Sequence, residues 1–133
     1  ITNVVTEVKD LFNKNYNDYQ IMHIIINKIL IDGNYYSKFL SDIEANDICV
    51  EIQFIAIPKV ITSEYEKILE HYQIKITSYL SKKYIQNFFV DKEKGMALMA
   101  YKIQNGHNDN EVKIIPKNIK KLGFFEKFFQ LFS

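Results

Sequence analysis

Arginine and tryptophan are absent from this chain, cysteine occurs once, proline twice and glycine four times. Each scarcity excludes something. Without arginine there is no bidentate fork for phosphates or guanine edges. The formal net charge of +1 supplies no field to gather polyanions, so nucleic acid is not expected as a partner. The lone Cys49 allows no internal disulfide, and it reads as a small buried apolar residue rather than a nucleophile. The four glycines never cluster, which leaves no phosphate-cradling loop. His23, His71 and His107 share no metal spacing with each other or with Cys49. The longest apolar stretch, residues 21–31, is too short to span a bilayer and carries His23, Asn27 and Lys28. The expectation is a chain with no catalytic residues, no cofactor and no metal. His23 reads as a core histidine bonded to backbone, His71 as a residue near a helix C-terminus, and His107 as solvated.

What is present suits one small domain. The 133 residues are 47% apolar, enough for a core. The chain opens on Ile1 with no signal-peptide pattern, as an excerpt or a product of an unusual start codon does. Val4, Val5, Val8, Leu11 and Phe12 recur at helical spacing, predicting a helix over 2–13. Residues 20–31, dense in isoleucine, read as a strand covered on both faces, and Asp32-Gly33 begins a turn. Residues 34–47 form a connection of weak pattern, with one helical turn around Phe39, Leu40 and Ile43. Residues 48–57 alternate as a strand ended by Pro58. Ser63 and Glu66 have capping-box spacing, opening a helix over 63–72 with Tyr65, Ile68, Leu69 and Tyr72 as its buried stripe. Residues 74–79 read as a third strand. Residues 81–90 read as a helix with Tyr84, Ile85, Phe88 and Phe89 inward, and Lys82-Lys83 on its exposed face. A short apolar helix is expected near 95–103. The polar run from Gln104 to Asn110 reads as a flexible linker that continues through Pro116. The fold class is α+β: a small three-stranded sheet with helices packed on it, then a linker and a C-terminal amphipathic helix.

The last thirteen residues, Lys121-Leu-Gly-Phe-Phe-Glu-Lys-Phe-Phe-Gln-Leu-Phe-Ser133, carry the strongest functional signal. Stepped at about 100° per residue, Leu122, Phe124, Phe125, Phe128, Phe129, Leu131 and Phe132 fill one half of a helical wheel. Polar residues fill the other half, and Lys117, Lys120 and Lys121 stand just upstream. A helix of this kind lies in an anionic membrane interface, its aromatic face among acyl chains and its lysines near headgroups. The membrane-binding set is therefore Lys120, Lys121, Leu122, Phe124, Phe125, Phe128, Phe129, Leu131 and Phe132. Two other placements fit the same periodicity: docking on the chain's own core, and insertion into a partner's groove.

Order and spacing add a resemblance. Tyr19-Gln-Ile-Met-His-Ile-Ile-Ile-Asn-Lys-Ile-Leu-Ile-Asp-Gly33 resembles the "vlHviPqeyxvDg" segment of FtsA, the actin-like bacterial cell-division protein. His23 falls on the family's histidine and Asp32-Gly33 on its Asp-Gly, while Ile26 replaces its proline. Residues 1–9 resemble the helix before that strand, and residues 49–57 the strand after it. Residues 65–76 are similar to the next helix and strand, with Gln73 where the family often has glycine. Residues 79–89 resemble the continuation. Gly95-Met-Ala-Leu-Met-Ala-Tyr101 is similar to the "atAxGLxlYa" helix that closes FtsA's actin-like core. The resemblance divides the chain into an inserted-subdomain-like part (1–94), a short apolar helix (95–104), a linker (105–119) and a membrane-targeting helix (120–133). FtsA's nucleotide-binding segments have no counterpart. The resemblance implies a non-catalytic fragment on the cytoplasmic side of the inner membrane, with FtsA-like self-association and contacts to later division proteins. It gives FtsZ binding little support, because that surface belongs mainly to the missing actin-like part. Alternative readings are a free-standing soluble interaction module and a degenerate remnant without function.

Overall fold

A computed structural model describes residues 2–38, 44–89 and 95–113. Among the described residues the architecture is α+β, a small open antiparallel sheet with four helices. The elements in chain order are α1 (Thr2–Asn15), β1 (Tyr19–Ile31), β2 (Asn34–Tyr36), β3 (Ile48–Pro58), α2 (Lys59–Glu70), α3 (Lys82–Phe88), α4 (Met96–Gln104) and β4 (Glu111–Val112). The central strand is β1. One of its edges pairs with β3 along its whole length, and the other is shared by β2 and β4.

Two bulges explain how so many isoleucines find a core. β1 has thirteen residues and β3 eleven, so β1 carries two extra residues. The register slips once between Ile21 and His23 and again between Ile26 and Lys28, placing Met22 and Asn27 at the bulges. Each slip reverses the alternation of faces. Ile24, Ile26, Ile29 and Ile31 pair with Phe54, Ile52, Val50 and Ile48 and therefore share one face. Without the bulge at Asn27, Ile29 and Ile31 would point the opposite way. The Asn27 amide lies within hydrogen-bonding distance of the Glu51 and Gln53 side chains, at 3.3 and 3.4 Å.

Both faces of β1 are covered. On the first, Ile26, Ile29 and Ile31 form a cluster with Tyr36, Val50 and Val112, and Phe12 of α1 stacks on Phe54 at 4.8 Å. On the second, His23 and Ile25 are buried, and Tyr84 of α3 lies against the His23 ring at 4.6 Å. Behind it α3 and α4 pack through Ile85, Phe89, Met99 and Ile103. The expected covering of β1 on both faces holds over residues 23–26, while Asn27 and Lys28 are exposed; the inward set on α3 is observed, with Ile85 and Phe89 buried and Tyr84 and Phe88 partly so.

The turns follow local chemistry. Asp32 and Gly33 both have positive φ, 47° and 84°, with Ile31 paired to Asn34 across them. That is the two-residue hairpin geometry Asp-Gly favours. The Asp32 carboxylate also accepts from the backbone amides of Asn46 and Asp47, closing the connection back toward β3. The α2 helix ends with Gln73 at φ 57°, while the Ile74 amide donates to the Leu69 carbonyl and the Gln73 amide to the Glu70 carbonyl. This is a left-handed C-terminal cap.

Four expectations are corrected. Residues 74–79 form no strand and join no ladder of the sheet; residues 77–80 instead line a cleft beside residues 20–22 of β1. Ser63 caps nothing: α2 begins four residues earlier, at Lys59 directly after Pro58, and the Lys59 amide is held by the Asp18 carbonyl. The weak connection after Gly33 contains β2, which the Asp-Gly turn sets up. The expected linker is ordered over residues 105–113 and supplies β4. The helical turn around Phe39, Leu40 and Ile43 and the linker residues 114–119 lie outside the described residues.

Candidate functional site

The most enclosed polar chemistry is centred on His23, whose side chain is fully buried. Its Nδ1 lies 2.6 Å from Glu111 Oε1, and its Nε2 accepts from the Ser81 amide at 2.9 Å. An acceptor at Nε2 leaves the proton on Nδ1, so the ring is held as the neutral Nδ1–H form, donating to the carboxylate. The other Glu111 oxygen accepts from the Tyr84 hydroxyl at 2.9 Å. The Asn108 amide in turn donates to that hydroxyl at 2.8 Å. Burial pushes the Tyr84 hydroxyl well above its usual titration range; the Glu111 carboxylate adds to the shift, and the Asn108 bond opposes it.

The chain folds this way because four elements meet at one point. The bulge at Met22 sets the face of His23 on β1. Ser81 caps α3, its hydroxyl accepting from the Tyr84 amide, and the same residue's amide reaches His23. β4 brings Glu111 alongside Ile25. The preceding residues are pinned by Ile26 N–H to the Asn110 carbonyl and by the Asn110 side-chain amide to the Ser37 carbonyl. The network is a clasp joining the sheet, α3 and the 105–113 segment. Both ring nitrogens and both carboxylate oxygens are engaged in hydrogen bonds within the clasp. Among the described residues no cluster of three or more His, Cys, Asp or Glu is placed to hold a metal.

A cleft of about 380 Å³ opens beside the clasp, between residues 20–22 of β1, residues 77–80 and the end of α4. Its two charged side chains are already committed. Glu111 belongs to the clasp, and Lys113 donates to the Gln104 carbonyl.

The surface is more open-handed. Ile61, Tyr65, Ile68 and Tyr72 stand at i, i+4, i+7 and i+11 along α2 and just beyond its end, one stripe of a helix. The sequence pattern places Tyr65, Ile68, Leu69 and Tyr72 in the core; in the structure only Leu69 is partly buried. Tyr65, Ile68 and Tyr72 are 54%, 57% and 73% exposed. Thr62 and Leu69 take the inward direction instead, with the Thr62 carbonyl accepting from the Tyr79 hydroxyl at 3.3 Å.

The predicted histidine roles divide. His23 is bonded to backbone in the core, as its strand position suggests, and also to Glu111. His71 sits at the C-cap of α2. His107 is exposed but stacks on Phe89 at 5.3 Å, rather than standing free in solvent. Cys49, expected buried, is exposed: it lies on β3 opposite Leu30, where no helix among the described residues covers the sheet. The predicted membrane-binding residues Lys120, Lys121, Leu122, Phe124, Phe125, Phe128, Phe129, Leu131 and Phe132 lie outside the described residues. No helix among the described residues is long and apolar enough to cross a membrane. Sequence reading missed Glu111 and Asn108, since a short polar run carries no periodicity. The one available signal was Tyr84, an inward residue whose hydroxyl needs a partner.

Comparison with family models, with curated proteins and with solved structures gives no match.

Proposed function

We propose that this chain is a non-catalytic interaction domain, FtsA-like in the order of its sequence segments, tethered to the cytoplasmic face of the inner membrane by its last residues. The observation that carries the proposal is the aromatic half-wheel of 121–132, with Lys117, Lys120 and Lys121 leading into it. The domain's own chemistry favours binding over catalysis. Its buried polar groups bond to one another, while large apolar side chains stand in solvent on α2. In this reading the tail attaches, the exposed apolar surface meets other division proteins or further copies, and FtsZ is engaged by neither.

Burying one aromatic side chain contributes roughly 1.5–3 kcal/mol for full transfer. Interfacial insertion is partial, and ordering the helix costs entropy, so attachment of a single copy is weak and reversible. Co-sedimentation with vesicles containing anionic lipid tests this. The full chain is expected to bind, and less well as salt rises. Phe128→Glu with Phe129→Glu is expected to abolish binding and to lower the melting temperature by no more than a few degrees. Lys120→Glu with Lys121→Glu is expected to weaken binding to anionic vesicles only. Loss of thermal stability in the double phenylalanine variant, with vesicle binding intact, would show that the tail belongs to the core.

A further inference from the structure

We propose that the exposed stripe of α2, Ile61, Tyr65, Ile68 and Tyr72, is the docking site for the chain's own segment 121–132 when no membrane is present. Docking itself is independent of the reading above; its competition with lipid rests on that reading.

Three observations converge. The stripe is an unpartnered apolar helix face of the kind that marks an interaction surface, and Ile74 extends it past the C-cap, 54% exposed. The tail starts close to it. Lys113, the last described residue, lines the same cleft as Tyr79. The Tyr79 hydroxyl is within 3.3 Å of the Thr62 carbonyl and 3.2 Å of Glu66 Oε1, both on α2. Residues 114–120 extend at most about 25 Å, a span longer than α2 itself, about 18 Å. Finally, the two surfaces are complementary. Segment 117–133 carries Lys117, Lys120, Lys121 and Lys127 against Glu126, a net +3. α2 carries Glu64, Glu66 and Glu70 against Lys59 and Lys67, a net −1. Glu64 stands one turn from both Ile61 and Ile68 on the helix surface.

A short tether gives the tail a millimolar effective concentration at the stripe, so a modest contact is enough. The aromatic face cannot lie on α2 and among acyl chains together. Docking therefore shields five phenylalanines in the absence of membrane, and membrane binding uncovers α2. Attachment and exposure of the partner surface become one event.

The test uses the full chain with Cys49→Ser and Gln130→Cys, carrying a nitroxide label at the new cysteine. Amide resonances of 59–72 are expected to broaden, with those of 34–36 on β2 unaffected. Tyr65→Gln with Ile68→Gln is expected to remove the broadening. In the unlabelled full chain the same pair is expected to tighten binding to anionic vesicles about threefold to tenfold. Absence of broadening overturns the proposal. So does broadening seen only when isotope and nitroxide are on different chains, which assigns the stripe to a second copy. Unchanged vesicle affinity in the glutamine pair overturns the competition. Wild-type broadening without any vesicle binding leaves docking intact and removes the membrane reading instead.

Discussion

β1 and α2 carry equally strong apolar patterns and meet opposite fates. In β1 the four consecutive residues His23, Ile24, Ile25 and Ile26 are all buried, because α1 covers one face of the strand and α3 the other. In α2 the regular stripe from Ile61 to Tyr72 stays in solvent, while the neighbouring line through Thr62 and Leu69 is the one withdrawn from it. Periodicity states which residues share a face. What covers that face is decided by topology, here by how abruptly the chain passes from β3 into α2 at Pro58.

The contrast can be broken or sharpened by substitution. The largest effect is expected at Ile29→Asp, which puts an unpaired carboxylate among Ile26, Ile31 and Val50; a loss of about 4 kcal/mol or more should leave the domain unfolded. Circular dichroism and urea titration read it directly. His23→Ala should cost about 3 kcal/mol, since it strands the Glu111 carboxylate and the Ser81 amide and leaves a void. A cost below about 1 kcal/mol would mean that the clasp does not hold the sheet to α3.

Tyr84→Phe removes only the hydroxyl and is expected to cost about 1–2 kcal/mol at neutral pH. It also tests the sign of a pH effect. The folded-state pKa of Tyr84 is raised above the ordinary value of 10.0. Its contribution is therefore complete below pH 10 and is lost as pH climbs from there toward the folded value. Urea midpoints of the native chain should fall more steeply above pH 10 than those of Tyr84→Phe, with parallel behaviour below. Among the smaller effects, Gln73→Gly should stabilise by up to about 1 kcal/mol, because glycine adopts the left-handed conformation of this cap without a steric penalty.

Much of the fold was legible because its signals are local. The alternation of 48–57, the helical spacing of Val4 to Phe12 and the inward set on α3 each identify their element without help from the rest. Three things were not legible, each for a physical reason. The bulges at Met22 and Asn27 shift the phase of the isoleucines, which a fixed period of two cannot represent. The strand expected at 74–79 has suitable residues but pairs with no edge of the sheet, and a strand-like run does not by itself supply a cross-strand partner. The clasp depends on Glu111 and Asn108, which lie 88 and 85 residues from His23 in sequence, in a run that reads as solvent-exposed. A buried histidine announces that it needs partners, yet nothing local says where they come from.

The apolar stripe of α2 stands outside the core, exposed to solvent. Denaturant unfolding of the full chain carrying Tyr65→Gln and Ile68→Gln tests this placement most directly. Both are good helix formers replacing exposed side chains, so the unfolding free energy should stay within about 1 kcal/mol of the native value. A loss of about 3 kcal/mol or more, the cost of emptying core positions, would contradict the account and return the stripe to the interior.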